Sequence, residues 1–236
     1  GFVLKLAKNG KSLVYSSYIG GGGKDMCTAL GVDIQGTAYI GGITASRDFP
    51  TRKAYQKSFG GKADAFVAKV SPQGTSLLYS TFLGGTGEDW ASALAVDAAG
   101  AVTLAGSTQS RDFPVKSAFQ KTSGGSWDGF IAKIGSAGDE LVHSSYLGGS
   151  NWDFIRDMAM GGDGAVYVVG RTNGSFPVRN AFQNKRKGSE DAFFTKIEPN
   201  GNVIAYSSYL GGSGADGALG VTVDGSGTAY IVGVTG

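Results

Sequence analysis

The chain has 236 residues, 41% of them apolar and 11% aromatic, with a net charge of +2. That length suits one large all-β domain or two ordinary ones, and the composition excludes disorder, while 41 glycines without a three-residue spacing exclude collagen and signal many tight turns. A lone cysteine (Cys27) and a lone histidine (His143) rule out an intrachain disulfide and a Cys/His zinc site. No apolar run approaches the roughly 20 residues that span a bilayer as a helix.

Taken in order, the chain opens on the β-like run FVLKL at 2–6, which returns as FVAKV at 66–70, FIAKI at 130–134 and FFTKI at 193–197. A tight turn follows each copy, with Asn9-Gly10, Gln73-Gly74, Ala137-Gly138 or Asn200-Gly201 providing the positive φ that such turns need. The second run, LVYSSYI and its copies, is apolar at both parities, which predicts a strand covered on both faces. The third run is made of small residues (ALGVD, ALAVD, DMAMG, LGVTVD). The fourth is entered through a turn at Gly36, Gly100, Gly164 or Gly227 and reads TAYIGGIT, AVTLAGST, AVYVVGRT and TAYIVGVT. The aromatics at the centre of the second run, Tyr18, Phe82, Tyr146 and Tyr209, are spaced by 64, 64 and 63 residues. One supersecondary unit has therefore been copied, with boundaries at 1–65, 66–129, 130–192 and 193–236, the last truncated, in a single array over 1–236.

Sixteen short runs in four quartets, without helical periodicity, predict an all-β fold: a β-propeller of four-stranded antiparallel blades. The small third run suits the innermost strand, where blades converge. Each blade then joins the third and fourth runs of one repeat to the first and second runs of the next, leaving a strand pair at either end. The units resemble the SBBP-type β-propeller repeat of bacterial surface and secreted proteins. The matching features are the DAFVAK-like strand, the YSSYLGG strand, the AVDxxG turn and the DFP…AFQ loop. The third repeat departs most, with Gly161 in place of the turn Asp and His143 in place of Tyr. The resemblance implies a propeller, often of more than four blades, and no single activity. With no initiator Met and a run that starts at Phe2, the chain reads as a piece of a longer protein; the end pairs would either close a four-bladed ring or, as the resemblance implies, pair with parts of that longer chain in a larger one.

Two kinds of connection fall on one face of such blades, and long connections are where function concentrates. GGxGxD recurs as Gly20–Asp25, Gly84–Asp89 and Gly211–Asp216, with Asn151 interrupting it at Gly148–Asp153. Copies more than 60 residues apart exclude a tandem calcium β-roll. The pattern predicts turns whose Asp accepts backbone N–H groups, or Asp25, Asp89, Asp153 and Asp216 ringing the axis around a hard cation. Calcium is thus the one cofactor admitted; no protein ligand set is assigned to a metal. In the other loops, the Phe of each Phe-Pro and Tyr55, Phe119 and Phe182 are expected to pin the loop to its blade. Segments 46–62, 110–126 and 173–189 hold twelve Lys/Arg against two Asp/Glu, so Arg47, Arg111, Arg179, Lys185 and Arg186 are candidates for a basic rim. Trp90, Trp152, Met26 and Phe154 sit beside the recurrent Asp, as packing under the loops or as contact residues.

His143 falls mid-strand at a Tyr position, paired carboxylates such as Asp139-Glu140 fall in a turn, and no phosphate loop is present, so no catalytic residue is named. The expectation is a non-catalytic structural or binding module of a secreted or cell-surface bacterial protein. Its partners would be proteins, anionic glycans or the rest of its own chain, not nucleic acid and not the membrane interior. The alternative is an accessory propeller domain of a carbohydrate-active enzyme whose catalytic part lies elsewhere.

Overall fold

The computed structural model describes all residues, Gly1–Gly236, as sixteen strands without a helix. They are β1 (Phe2–Leu6), β2 (Leu13–Tyr18), β3 (Asp25–Val32), β4 (Ala38–Thr44), β5 (Asp64–Val70), β6 (Leu77–Leu83), β7 (Asp89–Val96) and β8 (Val102–Thr108), followed by β9 (Asp128–Ile134), β10 (Leu141–Leu147), β11 (Asp153–Met160), β12 (Val166–Thr172), β13 (Asp191–Ile197), β14 (Ile204–Leu210), β15 (Gly217–Val223) and β16 (Ala229–Val234). Three antiparallel sheets have the orders β3-β4-β5-β6, β7-β8-β9-β10 and β11-β12-β13-β14, and two-stranded pieces β1-β2 and β15-β16 stand at the ends. Each full sheet therefore combines two runs of one repeat with two of the next, in the expected phase. No sheet closes on itself.

The turns explain the strand ends. Gly10, Gly74, Gly138 and Gly201 have φ of 69–89°, as do Gly36, Gly100, Gly164 and Gly227 at 78–84°. In the AVDxxG turns the Asp side chain closes the loop. Asp97 Oδ1, for example, accepts from the N–H groups of Ala99 and Ala101, both at 2.9 Å. The third repeat moves this function to Asp163, whose Oδ1 accepts from Ala165 N–H at 2.9 Å. A bulge after the third residue of β3, β7 and β11, and after the second residue of β15, bends these strands at the same place in the repeat.

The sheets meet through their first strands: β7 lies against β3, β4 and β5, β11 against β7, β8 and β9, and β15 against β11, β12 and β13. Small residues make this convergence possible. The Cβ of Ala29 and the Leu94 and Leu104 side chains already crowd Gly41, within 3.4 Å of where its own Cβ would be. Between the sheets lie apolar clusters such as Leu104, Phe113, Phe130 and Tyr146, and Phe176, Phe193 and Tyr209.

The DFP loops cover the outer edges. Their backbones bridge to the last strands, Arg52 to Ser80, Lys116 to Ser144 and Arg179 to Ser207, so β6, β10 and β14 are not left as open edges. Phe49, Phe113 and Phe176 are buried as expected, their rings 4.5, 4.5 and 4.1 Å from those of Phe66, Phe130 and Phe193. The second set of loop aromatics is different. Phe119 is half-buried against His143, but Phe182 is 90% exposed and Tyr55 is exposed too, so these two do not pin their loops.

Tyr18 also departs from expectation. Phe82, Tyr146 and Tyr209 are buried, whereas Tyr18 is 92% exposed. Tyr146 and Tyr209 each pack against the Phe of the DFP loop that precedes them, at 6.0 and 6.3 Å, and Phe82 packs on Phe49 at 5.7 Å. No such loop precedes Tyr18 in this sequence, and β2 is accordingly exposed at every residue but the half-buried Tyr15 rather than covered on both faces.

Candidate functional site

In each full sheet the connection from its second to its third strand emerges at the same end as the GGxGxD connection that follows its fourth strand. The two connections are tied together within a repeat. Asp48 Oδ1 accepts from Gly22 N–H at 2.8 Å and Asp112 Oδ1 from Thr86 N–H at 2.9 Å, while the Ser175 hydroxyl does the same for Ser150 N–H at 3.0 Å.

The recurrent Asp residues sit at the base of this face. Asp25, Asp89 and Asp153 are the first residues of β3, β7 and β11, and Asp216 immediately precedes β15. Each Oδ2 accepts the N–H four residues upstream, from Gly21, Gly85, Gly149 and Gly212, at 2.9, 2.8, 2.7 and 2.8 Å. This is the turn role anticipated for them. The structure adds partners that the sequence reading did not single out: Asp64, Asp128 and Asp191, the first residues of β5, β9 and β13. A Cβ built on Gly84 would lie 2.6 Å from Asp89 and 2.9 Å from Asp64, and one on Gly211 would lie 2.7 Å from Asp191 and 2.9 Å from Asp216. The carboxyls thus pair across a glycine, and no group of three or more acidic, His or Cys side chains forms a metal cluster.

Burial sets the chemistry of these pairs. It pushes Asp64 and Asp89 up to about 6, with Asp89 adding repulsion on Asp64. Asp153 is pushed up to about 7 by burial, with repulsion from Asp128 opposed by the Gly149 N–H and Thr172 hydroxyl. One Oδ1 in each of Asp64, Asp128 and Asp153 is buried with no hydrogen-bond partner. The Asp64–Asp89 pair therefore favours holding a proton over carrying two charges.

The basic candidates are exposed, and they are distributed over three connections: Arg47 in β4–β5, Arg111 in β8–β9, and Arg179, Lys185 and Arg186 in β12–β13. Several are already engaged. Arg47 lies 5.7 Å over the Phe59 ring, and Arg186 donates to its own loop at Ser189 O, 2.6 Å, and at Gly188 O. Lys116 pairs with Glu140 at 3.1 Å, an exposed contact worth little by itself.

The aromatic candidates, by contrast, are brought together. Trp90 is the second residue of β7 and packs at 4.6 Å, tilted by 55°, against Trp127, just before β9. Trp127 lies 5.5 Å from Phe154 of β11, which lies 5.1 Å from Trp152. A continuous run Trp90–Trp127–Phe154–Trp152 therefore crosses from the second sheet to the third. Backbone bonds fix it: Asp153 N–H donates to Trp127 O at 2.9 Å, and Trp127 N–H to Asn151 O at 3.2 Å. Two guanidinium groups face it, Arg171 at 5.3 Å from the Trp152 ring and Arg156 at 5.8 Å from the Phe154 ring. Glu190 holds Arg171 at 3.1 Å. Burial and repulsion from Arg171 hold Arg156 below the usual arginine range. Trp90 and Arg156 are exposed, and Trp127, Trp152, Phe154 and Arg171 are half-buried, so the run is partly open to solvent. Met26, which occupies the position of Trp90 one repeat earlier, takes no part in it.

His143 lies buried in mid-strand β10, stacked on Phe119 at 6.2 Å, and burial lowers its pKa to about 4. It occupies a packing position between its strand and the β8–β9 loop. Comparison with protein-family models and with curated proteins found no match.

Proposed function

We propose that the chain is a β-propeller built of SBBP-like blades, serving as a non-catalytic binding module of a secreted or cell-surface bacterial protein. Its ligand is a glycan bearing an acidic group. Support for the architecture comes from the sheet phase, the converging small strands and the repeat. The observation that carries the binding role is the aromatic run with two flanking arginines, Arg156 and Arg171, on the long-loop end. Indole faces provide apolar stacking surfaces for sugar rings, and a guanidinium pairs with a carboxylate or sulfate in a fixed fork. The surrounding loop charge adds long-range attraction for an anionic ligand. An accessory domain of a carbohydrate-active enzyme would use the same patch.

The test is a glycan array followed by titration of tryptophan fluorescence, with wild type, Trp152→Ala and Arg171→Met. Acidic glycans should be retained by wild type, and each variant should weaken them by about 1–3 kcal/mol, the range of stacking and charge-assisted contacts. Absence of any glycan hit, or binding that both variants leave intact, overturns the assignment.

A further inference from the structure

A row of three side chains crosses each full sheet at the end away from the long loops. In the first sheet it is Tyr39–Lys69–Tyr79, and in the third Tyr167–Lys196–Tyr206, each set by direct cross-strand pairing. The middle sheet has Thr103–Lys133–His143 at the same places. Two phenol rings are there replaced by a short hydroxyl side chain and an imidazole.

In the flanking sheets the first tyrosine of the row is held on two sides. The Lys69 ammonium lies 4.8 Å over the Tyr39 ring, and that of Lys196 lies 5.0 Å over Tyr167. The same tyrosines reach the turn of the next sheet, donating to Gly100 O at 3.3 Å and to Gly227 O at 3.1 Å. A Cβ on Gly100 would meet the Tyr39 hydroxyl at 3.2 Å, and one on Gly227 the Tyr167 hydroxyl at 3.3 Å. At Gly164, the equivalent turn facing the middle sheet, a Cβ would meet only Pro199, at 3.5 Å.

The space without tyrosines is a cavity of about 300 Å³ between the middle and third sheets. Ile131, Met160, Val166 and Ile197 form its apolar wall, and Thr103, Lys133, His143 and Gly164 give it polar groups. His143 is buried, and its Nε2 has no hydrogen-bond partner. Lys133, opposite Thr103 rather than a ring, pairs with Asp97 at 2.8 Å. Val142 and Asn200 line the cavity and are exposed, so it opens to solvent.

We infer that this cavity binds a small single-ring phenol, which takes the place that Tyr39 and Tyr167 hold in the neighbouring sheets. The ring lies on the apolar wall within reach of the Lys133 ammonium, and the hydroxyl donates to Gly164 O. The volume is ample for one ring, since benzene occupies an apolar protein cavity of ~150 Å³. It is also at the small end of ligand pockets, which excludes larger molecules. The site is at the opposite end of the strands from the aromatic run, and it stands independently of the glycan reading.

His143 is the sole histidine, so its ring Cε1–H proton gives one NMR signal that reports on the cavity. p-Cresol, the tyrosine side chain as a free molecule, should shift that signal saturably, with a Kd of ~1 mM or tighter. Toluene keeps the ring and lacks the hydroxyl, and should bind roughly two- to tenfold more weakly, the worth of one hydrogen bond. Thr103→Tyr and Thr103→Phe each put a ring of the chain's own into the space and leave the histidine signal in place. Both should weaken p-cresol by more than about tenfold. Absence of a saturable shift in wild type up to ~10 mM p-cresol overturns the inference, whether or not the variants fold. So does toluene binding as tightly as p-cresol, or an affinity for p-cresol that both folded variants retain.

Discussion

Tyr209 and Tyr18 hold the same position in the repeat and opposite environments, so replacing each by alanine separates packing from strand preference. Tyr209 is buried, its ring meets Phe176 edge-on at 6.3 Å, its hydroxyl accepts from Phe176 N–H at 2.6 Å, and it donates to Gly174 O at 3.3 Å. Removing a buried aromatic ring costs about 3–5 kcal/mol. Leaving the buried Phe176 N–H without its acceptor adds roughly 1–3 kcal/mol, the share that Tyr209→Phe isolates. Tyr18, at 92% exposure, should cost under about 0.5 kcal/mol when truncated. The assay is urea unfolding followed by tryptophan fluorescence and circular dichroism in parallel, because an array can lose its ends before its centre. By heat, each kcal/mol should appear as roughly 2–4 °C at this chain length. A Tyr209→Ala loss below about 1 kcal/mol, on the scale of an exposed site, would refute the packing argument. A Tyr18→Ala loss equal to that of Tyr209→Ala would do the same.

Other expectations follow from the buried groups. The unfolded Asp carboxyl titrates near 3.9, and burial raises Asp64, Asp89 and Asp153 to about 6, 6 and 7. Their contribution is therefore present below pH ~4 and is lost as pH rises toward 7. Asp153→Asn should accordingly be more stable than wild type at pH 8, with a flatter profile between pH ~4 and 8, and a less stable variant at pH 8 would contradict the buried pair. His143 has the opposite sign: its pKa falls from 6.5 to about 4, so stability present above 6.5 is lost as pH drops toward 4. His143→Tyr, restoring the repeat residue, should remove that loss, read as unfolding midpoints at pH ~5 and ~8. Gly138 has φ 89° and its Cβ would strike the Tyr79 ring, so Gly138→Ala should cost at least about 1–3 kcal/mol by denaturation.

The repeat made the strand order legible, because identical positions in an array face identical neighbours. The phase of the sheets, the turn glycines and the turn role of Asp25, Asp89, Asp153 and Asp216 all follow from it. The same averaging misled at Tyr18, since a repeat position predicts burial only where the neighbouring repeat is present to cover it. Asp64, Asp128 and Asp191 went unnoticed because they stand inside an otherwise ordinary strand run. Their proximity to the GGxGxD Asp is a cross-strand fact, arising where the start of a sheet's third strand and the Asp that leads into the next sheet's first strand meet at the glycine after the last strand. A polar residue at the start of each DAFVAK-like strand was the available signal.

The aromatic run was only half legible, and the reason bears on its stoichiometry. Positions that agree between repeats are occupied by packing and turn residues; the candidate site uses positions that disagree. Where the central junction has Trp90, Trp127, Trp152, Arg156 and Arg171, the junction one repeat earlier has Met26, Ala63, Glu88, Ser92 and Ser107. One repeat later the same places hold Phe154, Glu190, Ala215, Leu219 and Val234. Trp127 was missed because it belongs to the end of the loop before β9, and only its parallel bridge to Trp152 places it between Trp90 and Phe154. Neither flanking junction combines neighbouring indoles with a guanidinium, so one ligand site is proposed for three sheets with a shared backbone. Isothermal titration with the strongest glycan from the array should therefore give one site per chain. Trp127→Ala should weaken binding as much as Trp152→Ala, by about 1–3 kcal/mol, while Met26→Ala leaves it unchanged. Two or three equivalent sites per chain would move recognition to the repeated features, the Asp turns and the basic loops, and would remove the aromatic run from the argument.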